Sequence, residues 1–351
     1  MISPHEVALL RLVAQRIAGP RAATAAEAVR QLTATQGQDY RGALVSVALR
    51  TRGGTRAGVE AALDAGDVVR SWPMRGTLHL VAAEDLGWLR ELCCPRVLGG
   101  FGKRRERLGL TDADAERAGE VAVAALRGGR RLGRAALLRT LAEAGVPTEG
   151  QRGYHLLAYL GHTGTLCLGP TGDGEQLFVL TDEWIRAPRR LEGDAALREL
   201  ALRFFASHGP ATVADLARWS GLTLTAVRRG LALARDELAE TDVDGVRHHL
   251  DPATPDLLAG CREEASGVFL LPGFDEFVLG YADRGAVLDA AFADRIVPGG
   301  NGMFRATVVS DGRIVGTWRR AGRGAVDAEA FTAFDDDVAA MIPKLAAALP
   351  G

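Results

Sequence analysis

The chain has 351 residues, 42 basic and 44 acidic, with 47% apolar side chains. That is too long for one small module and too balanced in charge for a protein steered to its partner by a global field. No stretch of 18 apolar residues and no basic-then-apolar leader occur, which argues against membrane spanning and export, so a cytoplasmic soluble protein is expected. Cys93, Cys94, Cys167 and Cys261 lack ligand spacing and are read as reduced thiols, with no metal and no cofactor expected.

In chain order, the spacing of Val7, Leu10, Val13 and Ile17 predicts a helix over 4–17, ended by Gly19-Pro20. Thr24 caps a second helix to Leu32, and 39–50 reads as a third. A helix over 56–65 then leads into strand from Val68 to Val81. Helices at 112–126, 132–144 and 151–161 repeat the pattern, followed by strands at 165–168 and 176–180 around a Gly- and Pro-rich turn over 169–174. A third round holds a helix-turn-helix signature over 209–238, with Gly221 in the tight turn. Short strands follow at 268–271, 277–280, 304–310 and 313–318, with Asp311-Gly312 as a hairpin turn and a closing helix over 328–349. The predicted class is mainly α with β (α+β): three tandem winged-helix domains, 1–100, 101–190 and 191–255, then a small β-barrel-like domain over 256–351.

Two stretches stand out chemically. Gln36-Gly37-Gln38-Asp39 opens a helix with amides where Ser, Thr, Asp or Asn usually caps, so capping does not explain it. Asp39, as first helical residue, is read as an N-terminal cap that could also supply a base. In 72–80, a continuous strand would put Arg75, Thr77 and His79 on one polar face and Met74, Leu78 and Leu80 on the other. Asp275-Glu276 could act as acid and base, but no His or Cys completes a ligand set, and the pair reads as structural hydrogen-bonding groups. His248-His249 reads as surface.

Together, Gln36-Gly37-Gln38, the Trp72 to His79 segment, Leu271-Pro272-Gly273-Phe274-Asp275-Glu276-Phe277-Val278-Leu279-Gly280-Tyr281 and the run from Gly312 to Arg320 resemble the AlkZ/YcaQ-type winged-helix DNA glycosylases over nearly the full length. These bacterial enzymes excise bulky N7-alkylated purines, and some relatives protect producers of genotoxic antibiotics. The resemblance implies that Gln36 and Gln38 are catalytic, with Gly37 where the family usually has an aliphatic residue. The Gln-ending motif is similar to the antibiotic-resistance branch.

The chemistry has its own physical sense. N7 alkylation leaves the purine cationic and a good leaving group, so the site needs to place a water beneath C1′ and tolerate an oxocarbenium-like sugar. An amide oxygen accepts from water, its dipole faces the developing cation, and its NH2 can hold a phosphate or sugar oxygen. Of the 42 basic residues only Lys103 and Lys344 are lysine, one in a hydrated charge run and one in the last helix. Schiff-base chemistry needs a desolvated amine, so hydrolysis without strand cleavage is expected. Arg75, Thr77 and His79 are candidate supporting groups.

Local charge carries the DNA expectation. Lys103, Arg104, Arg105, Arg107, Arg130, Arg131 and Arg134 fall in an arginine-rich region, Arg313, Arg319, Arg320 and Arg323 form a smaller cluster near the C-terminal hairpin, and Arg305 is a further candidate DNA contact. Trp72 and Met74 are added as DNA contacts. The expected partner is double-stranded DNA carrying an alkylated purine, met by a monomer that is nucleoid-associated when bound. The rival reading is a sequence-specific transcription regulator, with Thr223, Thr225, Arg228 and Arg229 offered to a groove; a scaffold that binds damaged DNA without cutting it is a third.

Overall fold

The computed structural model describes residues 2–172, 174–322 and 324–351. Asp173 of the expected wing turn and Arg323 of the smaller arginine cluster lie outside them. The chain divides into two compact units, one joining Met1–Val59 to Leu197–Gly351 and the other Glu60–Ala196. The boundary at residue 59 differs from the serial division, because residues 1–100 do not stay together.

In the first unit, Ser3 and Thr24 accept from Glu6 and Glu27 main-chain N–H groups and start the helices Pro4–Ala14 and Ala25–Leu32. A two-residue strand, Thr35–Gln36, precedes the helix Tyr40–Leu49. Further on, Gly193–His208, Val213–Ser220 and Leu224–Ala234 are followed by the strands Ala239–Val243 and Val246–Leu250. This is the expected winged-helix order. A reciprocal Thr212–Asp215 capping box begins Val213–Ser220 and Gly221, at φ 77°, ends it. His248 and His249 are buried rather than at the surface.

The C-terminal part of this unit is a sheet rather than a barrel. Its four antiparallel strands run in the order Ala325–Ala330, Arg313–Gly322, Ala306–Ser310, Val268–Leu271, and the ends stay open. Asp311 and Gly312, at φ 47° and 76°, make the expected hairpin turn. Residues 276–279 are a short helix, not a strand, and the last helix begins at Asp336 because 325–330 are taken by the sheet. One core packs Leu9, Leu12 and Val13 with Phe277, Val309 and Ile314; another packs Val45 and Trp318 with Val338 and Ile342. Full burial of a Val, Leu, Ile or Phe side chain of this kind contributes about 1.5–3 kcal/mol.

The second unit places Val68–Met74, Thr77–Ala82, Leu166–Gly172 and Glu175–Leu180 in one antiparallel arrangement, the first pair beside the second. Asp112–Leu126, Arg134–Glu143 and Arg152–His162 precede the latter pair, again in winged-helix order. Trp72, Leu126, Leu137, Leu156 and Leu166 meet in its core. Residues 72–80 are not one continuous strand. Arg75 and Gly76, at φ 55° and 75°, form a two-residue turn closed by the Met74–Thr77 pair.

Candidate active site and nucleic-acid interface

Gln36 sits on its short strand with only 7% of its surface exposed, and its Oε1 is buried with no hydrogen-bond partner among the described residues. Gly37 is buried, whereas Gln38 and Asp39 are exposed. Asp39 occupies the N-cap position of Tyr40–Leu49, but its carboxylate makes no capping hydrogen bond. The carboxylate instead lies over the first turn, where a Cβ added to Gly42 would come within 2.5 Å of Asp39 Oδ2 and 3.2 Å of Gly273 O. A larger residue there would have to displace the exposed Asp39 carboxylate and crowd the Gly273 carbonyl.

The main-chain N–H of Gln36 donates to Glu276 Oε1 at 2.8 Å. Glu276 is fully buried, and its Oε2 accepts from the Trp219 indole at 2.9 Å, with His208 Nε2 at 3.7 Å. The neighbouring Asp275 pairs with Arg50 and accepts from Ser46 Oγ at 2.7 Å and from Phe277 N at 3.0 Å. Arg50 also donates to Gln15 O and Gln15 Oε1. Gln15 Nε2 donates to Tyr281, whose hydroxyl donates to His208 O, and Arg11 lies 3.6 Å over the Tyr281 ring. Burial pushes the Tyr281 hydroxyl well above the usual phenol range. Asp275 and Glu276 are thus partnered and inside, the structural reading of that pair. Phe274, at φ 61°, holds a left-handed backbone that a bulky residue rarely adopts, just where the chain must deliver both carboxylates.

A cavity of about 760 Å³ opens in the same unit, lined by Asp39, Arg41, Arg56, Trp318, Arg319 and Arg320 among others. Arg319 and Arg320 are exposed, and Arg319 pairs with Asp327 at 2.9 Å. Arg305 is exposed and shares a second recess with Arg319. Sequence reasoning missed Arg41, Arg56 and the Glu276 anchor. Arg41 lies only two residues beyond Asp39, a signal that was available; Glu276 and Gln36 are 240 residues apart.

In the second unit, Arg75 Nη2 lies 3.0 Å from His79 Nε2, and His79 Nδ1 lies 2.9 Å from Thr77 O. These distances assign the proton to Nδ1, which donates to the carbonyl, and leave Nε2 to accept from Arg75. The three supporting candidates therefore come together, but at a hairpin turn instead of along a strand face, and His79 is fully buried. Trp72 and Met74 are also buried, Trp72 within the core, so neither offers the surface expected of a DNA contact.

Lys103, Arg104 and Arg107 are exposed on the helix Phe101–Arg107. Arg105 is half-buried instead, paired with Asp112 and lying 4.9 Å over the Tyr159 ring. Arg130 donates to Ala124 O and Arg127 O at the end of Asp112–Leu126, while Arg131 and Arg134 lie over Trp184 and Tyr154. These three are exposed. Burial and the adjacent Arg104 and Arg105 push His155 down to about 4, and burial raises the Cys94 and Cys167 thiols to about 12, leaving them protonated. Among the described residues no group of three or more His, Cys, Asp or Glu could hold a metal, and no helix is long and apolar enough to cross a membrane.

The mixed α/β chain, with winged-helix order and exposed arginines, fits the class of DNA-acting proteins, and the family model makes the assignment. The chain belongs to the AlkZ-like DNA glycosylases, whose family model matches residues 29–350. It is 28% identical over 308 residues, 84% of this chain and 82% of the relative, to the interstrand DNA cross-link repair glycosylase of Streptomyces sahachiroi. The solved structure of Streptomyces sahachiroi DNA glycosylase AlkZ is similar in fold, with a TM-score of 0.79 at 24% identity, covering 99% of this chain and 98% of that one. Membership makes this chain a DNA glycosylase, with DNA as its partner.

Proposed function

We propose that the chain is a monofunctional DNA glycosylase that hydrolyses the N-glycosidic bond of bulky N7-alkylated purines in duplex DNA, and that Gln36 and Gln38 carry the reaction. The observation that bears most weight is the buried Gln36 Oε1, which accepts no hydrogen bond from the described residues. A buried carbonyl without a donor costs about 1–3 kcal/mol, a cost a reacting water can offset by donating to it. Gln38 is exposed beside it in sequence, suited to hold a sugar or phosphate oxygen.

The bond from C1′ to N9 breaks with its electron pair passing to the purine, which cancels the positive charge on the alkylated ring. The water oxygen then bonds to C1′, and the proton it sheds goes to solvent or to the exposed Asp39 carboxylate. An amide is too weak a base for an unactivated purine, so selectivity for cationic lesions is built into the chemistry. A bulky lesion is in keeping with the relative named for interstrand cross-link repair, and a role in resistance to a DNA-alkylating natural product follows from that substrate class. Arg305, Arg319 and Arg320 in one unit, and Lys103, Arg104, Arg107, Arg130, Arg131 and Arg134 in the other, are assigned to phosphates.

Incubation of the purified monomer with duplexes carrying N7-methylguanine and a bulky N7 adduct tests this reading. Free alkylated base and an intact abasic strand are the expected products. Binding without base release from any N7 lesion contradicts it.

A further inference from the structure

We propose that Glu276 is a positioning residue for the Gln36 amide, an inference that rests on the reading of Gln36 as the holder of the hydrolytic water. Gln36 lies on a strand of only two residues between Thr33, at φ 70°, and Gly37. Its main-chain N–H is taken by Glu276, from outside the strand. The Glu276 carboxyl group is completely buried, with Oε1 at 2.8 Å from the Gln36 main-chain nitrogen. A main-chain N–H directed at a buried carboxyl oxygen satisfies that acceptor from within the protein. Turning the 35–36 peptide away would leave the oxygen without that donor in a place water does not reach.

The anchor is itself held. Oε2 takes the Trp219 indole N–H at 2.9 Å, and His208, 3.7 Å from Oε2, is fixed by Ser207 Oγ at 2.8 Å from its Nδ1 and by stacking on Phe204 at 4.6 Å. The preceding residue, Asp275, is locked to Arg50. The backbone from which the Gln36 side chain projects is therefore held by a carboxyl group 240 residues further along the chain, with a separate oxygen taking each of two donors.

That last feature makes the test. Glutamine in place of Glu276 keeps the shape but offers one acceptor oxygen, so either the Gln36 N–H or the Trp219 N–H faces an NH2 group. Replacing Trp219 by Phe removes one donor and lets the new amide oxygen turn to Gln36. Single-turnover excision of an N7-alkylguanine from duplex DNA is measured for native protein, Glu276→Gln, Trp219→Phe, the double variant and Gln36→Ala, with melting temperatures alongside.

The expected result is a fall of about tenfold or more in the saturating rate of Glu276→Gln, with its half-saturating protein concentration unchanged. The double variant should recover to within about threefold of Trp219→Phe. A saturating rate in Glu276→Gln equal to native, or a double variant as slow as Glu276→Gln, overturns the proposal. A Gln36→Ala variant at the native rate sinks the underlying reading as well, whereas a dead Gln36→Ala beside an unimpaired Glu276→Gln removes the anchor alone.

Discussion

Arg50 meets Asp275 in a two-pronged pair, Nη2 to Oδ1 at 2.8 Å and Nη1 to Oδ2 at 2.9 Å, with both side chains fully excluded from water. Every guanidinium nitrogen of Arg50 is used, since Nε donates to Gln15 O at 3.0 Å. The pair ties the end of the helix that follows the Gln36-Gly37-Gln38 motif to the start of the short helix that carries Glu276.

Removal of one partner should therefore cost far more than removal of a surface charge. Asp275→Ala leaves a buried guanidinium without its counter-charge, and a loss of about 3–5 kcal/mol is expected in urea or guanidinium unfolding. Exchange of both residues for apolar ones of similar volume should be much milder than either single change. A single variant within about 0.5 kcal/mol of native would mean that the pair does not hold these segments.

Acid should loosen the second unit. His155 in the folded chain titrates near 4, below the unfolded value of about 6.5. Between those two values the unfolded chain binds the extra proton, so this residue's contribution is present above pH 6.5 and is lost as pH falls toward 4. Burial lowers His162 in the same direction. Melting temperature measured from pH 7 to pH 4 should fall, and His155→Gln should flatten part of that slope; an unchanged slope in the variant would remove His155 as a cause.

Charge at the arginine-lined cavity should be read in salt dependence. Arg319→Ala and Arg320→Ala are expected to weaken duplex binding for any sequence and to reduce the slope of log K against log salt by about one for each phosphate that is no longer neutralised. Arg105→Ala, by contrast, removes a half-buried group that pairs with Asp112 and covers Tyr159. It should lower the melting temperature more than it lowers the salt slope. Titrations at several salt concentrations separate the two behaviours.

The absence of strand cleavage is a further expectation. Lys103 and Lys344 are both exposed, whereas Schiff-base chemistry needs a desolvated amine. Borohydride added during turnover should trap no protein–DNA adduct, and alanine at both positions should leave the rate of base release, at protein concentrations that saturate binding, within about twofold of native. A trapped adduct that disappears with either substitution would replace hydrolysis by an imine mechanism.

Much of this was legible in the sequence because it is local. Thr24 before an apolar-periodic run, Gly221 between two short helices and Asp311-Gly312 between β-rich segments each name a backbone geometry, and each is found where expected. The Arg75-Gly76 turn was not legible. Asn-Gly or Asp-Gly is the usual signal, and an arginine at φ 55° gives none, so alternation across 72–80 read as one strand. Residues 277–280 read as strand from composition, yet Asp275 accepts from Phe277 N and starts a helical turn. The Gln36 motif was visible as an odd helix entrance, and the family resemblance gave it a role. Its anchor was not, since nothing local in either segment says that a carboxylate at 276 will reach the main chain at 36.

The central claim is that the two amides flanking Gly37 carry out hydrolysis. Single-turnover release of N7-alkylguanine from duplex DNA by native protein, Gln36→Ala and Gln38→Ala, at protein concentrations that saturate binding, tests it most directly. Losses of about 10²-fold or more in rate, with duplex affinity kept, are predicted for Gln36→Ala, and a smaller loss for Gln38→Ala. Native rates in both variants, with the lesion still excised, would contradict it.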